Sequence, residues 1–225
     1  MLASYLCLAS REPALYAAEV TARLVPALDG RAHKAAKSPP AVIWLKPTQP
    51  QPAVAIAPGK FALAQRNKMF SPHLLVVPVG SSVAFPNDDP FFHNVFSLFE
   101  GKRFDLGLYE AGSTRNVVFS REGVSYIFCN IHSEMSAVVI ALTTPFYSVA
   151  DSQGQFHIDP VPDGDYELHV WVEGQHQSAL DQQTRSVHIA GGHTDLGEIR
   201  AGASDREPHL NKFGRPYDPE PKQPY

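Results

Sequence analysis

Twenty prolines and fifteen glycines are spread along the 225-residue chain. Each proline removes a backbone donor and fixes its own backbone, and each glycine weakens a helix, so long helices have little room to form. What survives between these breaks is a series of short segments rich in β-branched and aromatic residues. They run over residues 19–25, 41–45, 74–79, 82–85, 94–98, 115–120, 124–129, 137–142, 155–158, 166–172, 184–190 and 195–200. Most are bounded by Gly, Pro, Asn or Asp, the residues that turn a chain. Many short strands at a spacing near ten residues predict an all-β protein of sandwich or barrel type.

Composition excludes some classes of function. A formal net charge of -4 offers no basic face for nucleic acid. No apolar run reaches the roughly 18 to 20 residues of a spanning helix. There is no Gly-rich phosphate loop, zinc-hydrolase helix or nucleophile elbow. No catalytic spacing stands out among the Asp, Glu and Ser residues. The chain therefore reads as a non-enzyme.

The first residues, Met1 to Ala18, combine an apolar start with the small-residue stretch Ala14-Leu15-Tyr16-Ala17-Ala18. They are expected to be the remains of an export signal over residues 1–17, the alternative being a disordered terminus or a misplaced start codon. Such signals begin with a basic stretch; here no Lys or Arg precedes the apolar part, and Arg11-Glu12 interrupts it. The two cysteines are Cys7 and Cys129. Cys7 lies in that leader, so Cys129 is expected to be a lone thiol, which asks for a chemical reason.

The reason lies in Cys129-Asn130-Ile131-His132-Ser133-Glu134-Met135. A thiolate donor, an imidazole and a thioether follow one another at the end of a predicted strand, where sites are commonly built. A second imidazole, His93, opens another predicted strand. Two His, one Cys and one weak Met are the donor set of a type 1 copper centre. Soft sulfur favours Cu(I), and imidazole accepts both oxidation states. Zinc also takes Cys and His, but a thioether suits it poorly, so Met135 argues for copper.

Other residues carry blander expectations. His157, His169 and His188 alternate with apolar residues and should face solvent from strands. Asp88 and Asp89 precede Pro90 and should shape a turn. Trp44 and Trp171 are expected in a core.

The stretch from Phe61 to Leu142 resembles the cupredoxins of the plastocyanin and amicyanin kind. The matching features are Phe70-Ser71-Pro72, the segment from Val79-Gly80 to Pro86-Asn87, His93-Asn94-Val95, and the strand ending in Phe128-Cys129. The spacing from Cys129 to His132 to Met135 is similar to the short ligand loop of amicyanin. The resemblance implies a Greek-key β-sandwich holding one type 1 copper. Its ligands would be His93, Cys129, His132 and Met135, and Asn94 would tie the ligand loops together by hydrogen bonding. Phe104-Asp105-Leu106-Gly107-Leu108-Tyr109, within an insert around residues 99–112, departs from the small cupredoxins.

A second resemblance follows. Asp151-Ser152-Gln153-Gly154-Gln155-Phe156 and Pro162-Asp163-Gly164-Asp165-Tyr166-Glu167-Leu168 are similar to the carboxypeptidase regulatory-like, transthyretin-like modules. These are Ig-like β-sandwiches that begin with two earlier strands, and residues 19–25 and 41–45 fit that place. The expected organisation is therefore residues 18–50 together with 146–200 as one discontinuous sandwich. A cupredoxin domain over 51–145 would be inserted into it, and 201–225 would form an extended tail.

The function implied is that of an exported, periplasmic or extracellular, electron carrier. Its copper would cycle between Cu(I) and Cu(II), with a redox protein such as a c-type cytochrome or a dehydrogenase as partner. His132 would be the electron's exit, with Phe91, Phe92, Pro86 and Pro90 supplying an apolar docking patch. Two alternatives stay open: a copper-handling or sensing protein, and a structural β-module with a vestigial site. A multicopper oxidase or nitrite reductase would need a second cluster of histidines, which the sequence lacks.

Overall fold

A computed structural model of the chain describes residues 17–26, 38–50, 56–98, 101–202 and 209–217. The leader expectation over residues 1–17, Cys7 included, lies outside the described residues except at Ala17. The chain opens with β1 (Ala17–Pro26) and β2 (Ala41–Pro47). Short strands follow: β3 (Lys60–Ala62), β4 (Ala64–Arg66), β5 (Met69–Ser71), β6 (Leu74–Pro78) and β7 (Ser82–Pro86). Then come β8 (His93–Ser97), β9 (Phe104–Tyr109), β10 (Thr114–Val118), β11 (Gly123–Phe128) and β12 (Ser136–Leu142). The last part holds β13 (Tyr147–Val149), β14 (Gln155–Pro162), β15 (Gly164–Val172), the short helix α1 (Gln177–Asp181), β16 (Arg185–Ile189) and β17 (His193–Ala201). The protein is all-β. No described helix is long and apolar enough to cross a membrane.

The chain forms two compact units. The first comprises residues 1–49, 148–172 and 177–203, and the second comprises 50–147, 173–176 and 204–225.

In the first unit, β1 lies between β14 and β17, antiparallel to one and parallel to the other. Its alternating Ala18, Val20, Ala22 and Leu24 are buried, which is the period-two pattern of a half-covered strand. In the other sheet β2 lies between β13 and β15, with Ala41 opposite Val172 and Leu45 opposite Leu168. Val42, Ile43, Leu45, Leu168, Trp171 and Val172 are fully buried. Trp44 departs from its expected core place. It is half-buried and stacks flat on His169, with ring centroids 5.3 Å apart. Alternation puts these two cross-strand partners on the outward side. His169 is accordingly half-covered, whereas His157 and His188 are exposed.

The second unit pairs a sheet of order β10-β7-β3 with one of order β6-β12-β11-β8-β9. Both feed one core, in which Val83, Phe85 and Val117 from the first sheet meet Val95, Ile127 and Val139 from the second. Strands β4 and β5 form a separate hairpin. The insert around 99–112 contributes β9, which pairs with β8 and buries Tyr109. Within the stretch expected as an extended tail, residues 209–217 belong with this unit and bond to it.

The pairing of the first unit yields a prediction. Removing residues 17–47 takes an inner strand out of each of its sheets, leaving open edges and uncovered apolar faces. A chain of residues 146–202 alone should aggregate and show no cooperative thermal transition by circular dichroism. A soluble, cooperatively melting product would show that β1 and β2 are dispensable.

Candidate metal centre

Three of the side chains singled out in the sequence, His93, Cys129 and His132, come together in the second unit. The Nδ1 atoms of His93 and His132 each lie 3.7 Å from the Cys129 sulfur. All three candidate ligand atoms fall within 4.8 Å of one another, and all three residues are buried. The two imidazoles meet edge-on, with centroids 4.9 Å apart.

Sheet register sets this arrangement. Strands β11 and β12 pair antiparallel down to Phe128 opposite Ser136. The segment between them, Cys129 to Met135, is thus the loop of a hairpin whose ends cannot separate. The Cys129 amide donates to the Met135 carbonyl at 3.2 Å, and the Met135 amide donates to the His132 carbonyl at 3.1 Å. Met135 is fully buried in the core cluster that also holds Cys129. His93 arrives from β8, which runs beside β11 with Phe96 opposite Phe128.

The orientation of His93 is fixed from behind. Its Nε2 donates to Asp89 at 2.8 Å, with both groups almost fully buried. That bond puts the ring proton on Nε2 and leaves the Nδ1 lone pair facing the thiol, the arrangement a metal-binding imidazole needs. Asp89 also accepts from the backbone amides of Asn67 at 2.6 Å and Lys68 at 2.9 Å. Those two residues form the turn between β4 and β5 and carry positive φ angles of 56° and 57°. A left-handed lysine is costly, and the carboxylate holds both amides in that conformation. Burial pushes the Asp89 carboxyl upward. The Lys68 amide, the His93 imidazole and the Asn67 amide outweigh it, and its pKa lies below the ordinary carboxylate value. The sequence expectation for Asp89 is only that it shapes a turn. Its larger role rests on residues 67 and 68, which nothing local to Asp89 points to.

Asn94 makes its direct side-chain bond to the insert strand β9. Its Nδ2 donates to Asp105 Oδ1 at 2.7 Å, and its Oδ1 has no partner among the described residues. Position explains this contact: β9 lies directly beside β8 and brings Asp105 within reach. Of the expected apolar patch, Phe92 and Pro90 are exposed, while Pro86 is half-buried. Phe91 is half-buried as well, packing edge-on to His93 and obliquely on His132. His132 itself is only 8% exposed.

A group of two imidazole nitrogens and one thiol sulfur, buried together with a thioether side chain in the adjoining core, can hold a soft or borderline metal ion.

Residues 143–196 match the family model described as Polysaccharide lyase family 4, domain II. No curated protein sequence matches the chain. Among solved structures, part of the chain is similar to a purple cupredoxin from Nitrosopumilus maritimus, at 27% identity and a TM-score of 0.33. That likeness covers 36% of this chain and 98% of the other. A Cu-containing nitrite reductase from Thermus scotoductus SA-01 is similar at 21% identity and a TM-score of 0.37, over 43% of this chain and 25% of that one. A reduced tryptophan-to-tyrosine mutant of amicyanin is similar at 18% identity and a TM-score of 0.35, over 44% of this chain and 98% of that one.

The three-way bond of Asp89 generates a prediction. Asp89→Asn replaces one acceptor by a donor and strands at least one buried N–H, so it should cost about 1–3 kcal/mol. The wild-type carboxyl has a lowered pKa when folded. Its contribution is therefore complete at neutral pH and is lost as pH falls from the ordinary carboxylate range through the lowered value. Urea unfolding at several pH values should show the gap between wild type and variant closing on the acid side. A gap that stays constant with pH would remove Asp89's charge from the account.

Proposed function

We propose that the protein is a type 1 copper protein that carries single electrons, with His93, Cys129 and His132 as equatorial ligands and Met135 as a weak axial one. The observation that carries this reading is the convergence of both imidazole Nδ1 atoms on one buried thiol at 3.7 Å. Copper would supply the Cu(I)/Cu(II) couple. The protein's part is to hold the donors still in both states. The paired ends of the β11–β12 hairpin and the Asp89 bond to His93 do this, so that little reorganisation accompanies electron transfer.

The same site supports the finer parts of the reading. It holds a single donor cluster among the described residues, which favours a carrier over a multicopper enzyme. His132 lies at the rim of the buried group, beside Ile131 at 43% exposure. With Phe92 and Pro90 nearby in sequence to His93, this edge would face a redox partner such as a c-type cytochrome or a dehydrogenase. A thiolate–copper carrier is proposed to work in the periplasm or outside the cell, where copper is less tightly sequestered. The Ig-like unit is proposed to be a transthyretin-like module interrupted by the copper-binding one.

Two variants test the ligand set in copper-loaded, oxidised protein. The wild type should show an intense visible band from thiolate-to-copper charge transfer. Cys129→Ser should abolish it, because an alkoxide is a poor stand-in for a soft thiolate. Met135→Leu should keep the band and raise the reduction potential, since losing a thioether donor disfavours Cu(II). Colour surviving in Cys129→Ser would remove the thiol from the site, and an unmoved potential in Met135→Leu would remove the thioether.

A further inference from the structure

The loop from Cys129 to Met135 is held from outside by residues far away in sequence. Tyr217 donates its hydroxyl to the Cys129 carbonyl at 2.8 Å. His209 donates from Nε2 to the Ser133 carbonyl at 2.6 Å. Lys212 donates its backbone amide to Asn130 Oδ1 at 2.9 Å. The two carbonyls and the amide oxygen flank His132 on both sides along the chain. The loop's own backbone bonds leave those acceptors to be taken up from elsewhere.

The segment that reaches them is itself preorganised. Asn211 Oδ1 accepts from the amides of Phe213 and Arg215, and the Asn211 amide donates to the Arg215 carbonyl. Gly214, at φ 71°, completes this turn. The turn brings His209 and Tyr217 back together edge-on, with centroids 5.2 Å apart and Tyr217 Oη 3.2 Å from His209 Nδ1. The His209 ring also stacks on Phe128, the residue before Cys129, at 4.1 Å. Lys212 Nζ ties the segment to Asp105 at 2.7 Å, and Asp105 accepts from Asn94. His93's neighbour is thereby joined to the ligand loop through the segment.

We propose that residues 209–217 form a strap that positions the thiolate and its loop, with Tyr217 and His209 as positioning residues acting through the Cys129 and Ser133 carbonyls. The inference rests on the reading of the loop as a metal-binding one. The strap's bonds fall on the backbone of the loop and on Asn130, so it restrains the direction of the Cys129 side chain without donating to the metal. Orientation of the thiolate governs its overlap with the metal, so loosening the strap should alter the electronic character of the site as well as its cover.

The test uses full-length protein carrying Tyr217→Phe with His209→Ala. Phe213→Ala serves as control, because Phe213 is 70% exposed and none of the three bonds to the loop uses its side chain. In metal-free protein the rate of iodoacetamide labelling at the Cys129 peptide, read by mass spectrometry, should rise roughly thirtyfold in the double variant. That is the factor expected when two hydrogen bonds of ordinary net worth are lost. The control should not change. In copper-loaded protein the charge-transfer band and the reduction potential should both move in the double variant, and His209→Gln alone, which keeps an N–H donor, should lie closer to wild type. An unchanged labelling rate overturns the strap. Faster labelling with an unmoved band and potential makes the segment a cover only, and overturns its positioning role. If copper-loaded wild type shows no such band, the proposed function fails and takes the metal-positioning role with it. The labelling rate of the metal-free protein still decides whether the segment holds the loop.

Discussion

The antiparallel register of β11 and β12 is the constraint on which the site depends. With Phe128 fixed opposite Ser136, the intervening chain must close as a short loop, and its donor residues are delivered to one place whatever else moves. A slip of one residue would turn every side chain of the strand to the other face. It would send Cys129 out of the core that now buries it completely. The apolar run of β12, with Val138, Val139, Ile140 and Ala141 all buried, makes such a slip costly. Packing, a property of the whole sheet, thus sets the chemistry of one loop.

The donor outside the loop, His93, comes by a different route, and a carboxylate ties it to the rest. Asp89 takes its three N–H donors from elements that share no strand: the β4–β5 turn supplies two and His93 the third. A buried carboxylate is stable only when its lone pairs are matched. The same matching holds a left-handed lysine in place and fixes an imidazole tautomer. Backbone strain in a peripheral hairpin and ring orientation at the candidate metal centre are consequently aspects of one local balance.

How much of this can be read from the chain follows from how local each signal is. The longer strands are legible because each carries its own alternation or apolar run between turn residues. Strands β3, β4 and β5 have three residues each, too few to show a period. Strand β9 reads as an insert because Asp105 and Gly107 break its pattern. The donors of the loop are legible together because Cys129, His132 and Met135 lie within seven residues. Asp89 is not, since its acceptor role is completed by Asn67 and Lys68. Asn94 is placed by resemblance, and Asp105, belonging to the very stretch that departs from that resemblance, claims its amide instead. The contacts of 209–217 carry no signal at all: Tyr217 meets Cys129 across most of the chain's second half.

The placing of β1 and β2 has a consequence for the order in which the molecule can be made. During synthesis these two strands emerge before the strands of the second unit, yet their partners emerge after them: Ala41 waits for Val172, and Val20 for Ile158 and Thr194. Closing so long a stretch of chain is slow when it must be done before any contact rewards it. The intervening residues contain strands β3 to β12, which make up the second unit's sheets. If they gather while the ribosome is still at work, the ends that must meet are drawn together by a folded body and not by a loose coil. Until then the apolar run Val42-Ile43-Trp44-Leu45 is an unpaired strand in search of any edge. Its exposure to mispairing therefore lasts from its own synthesis until that of β15, its antiparallel partner.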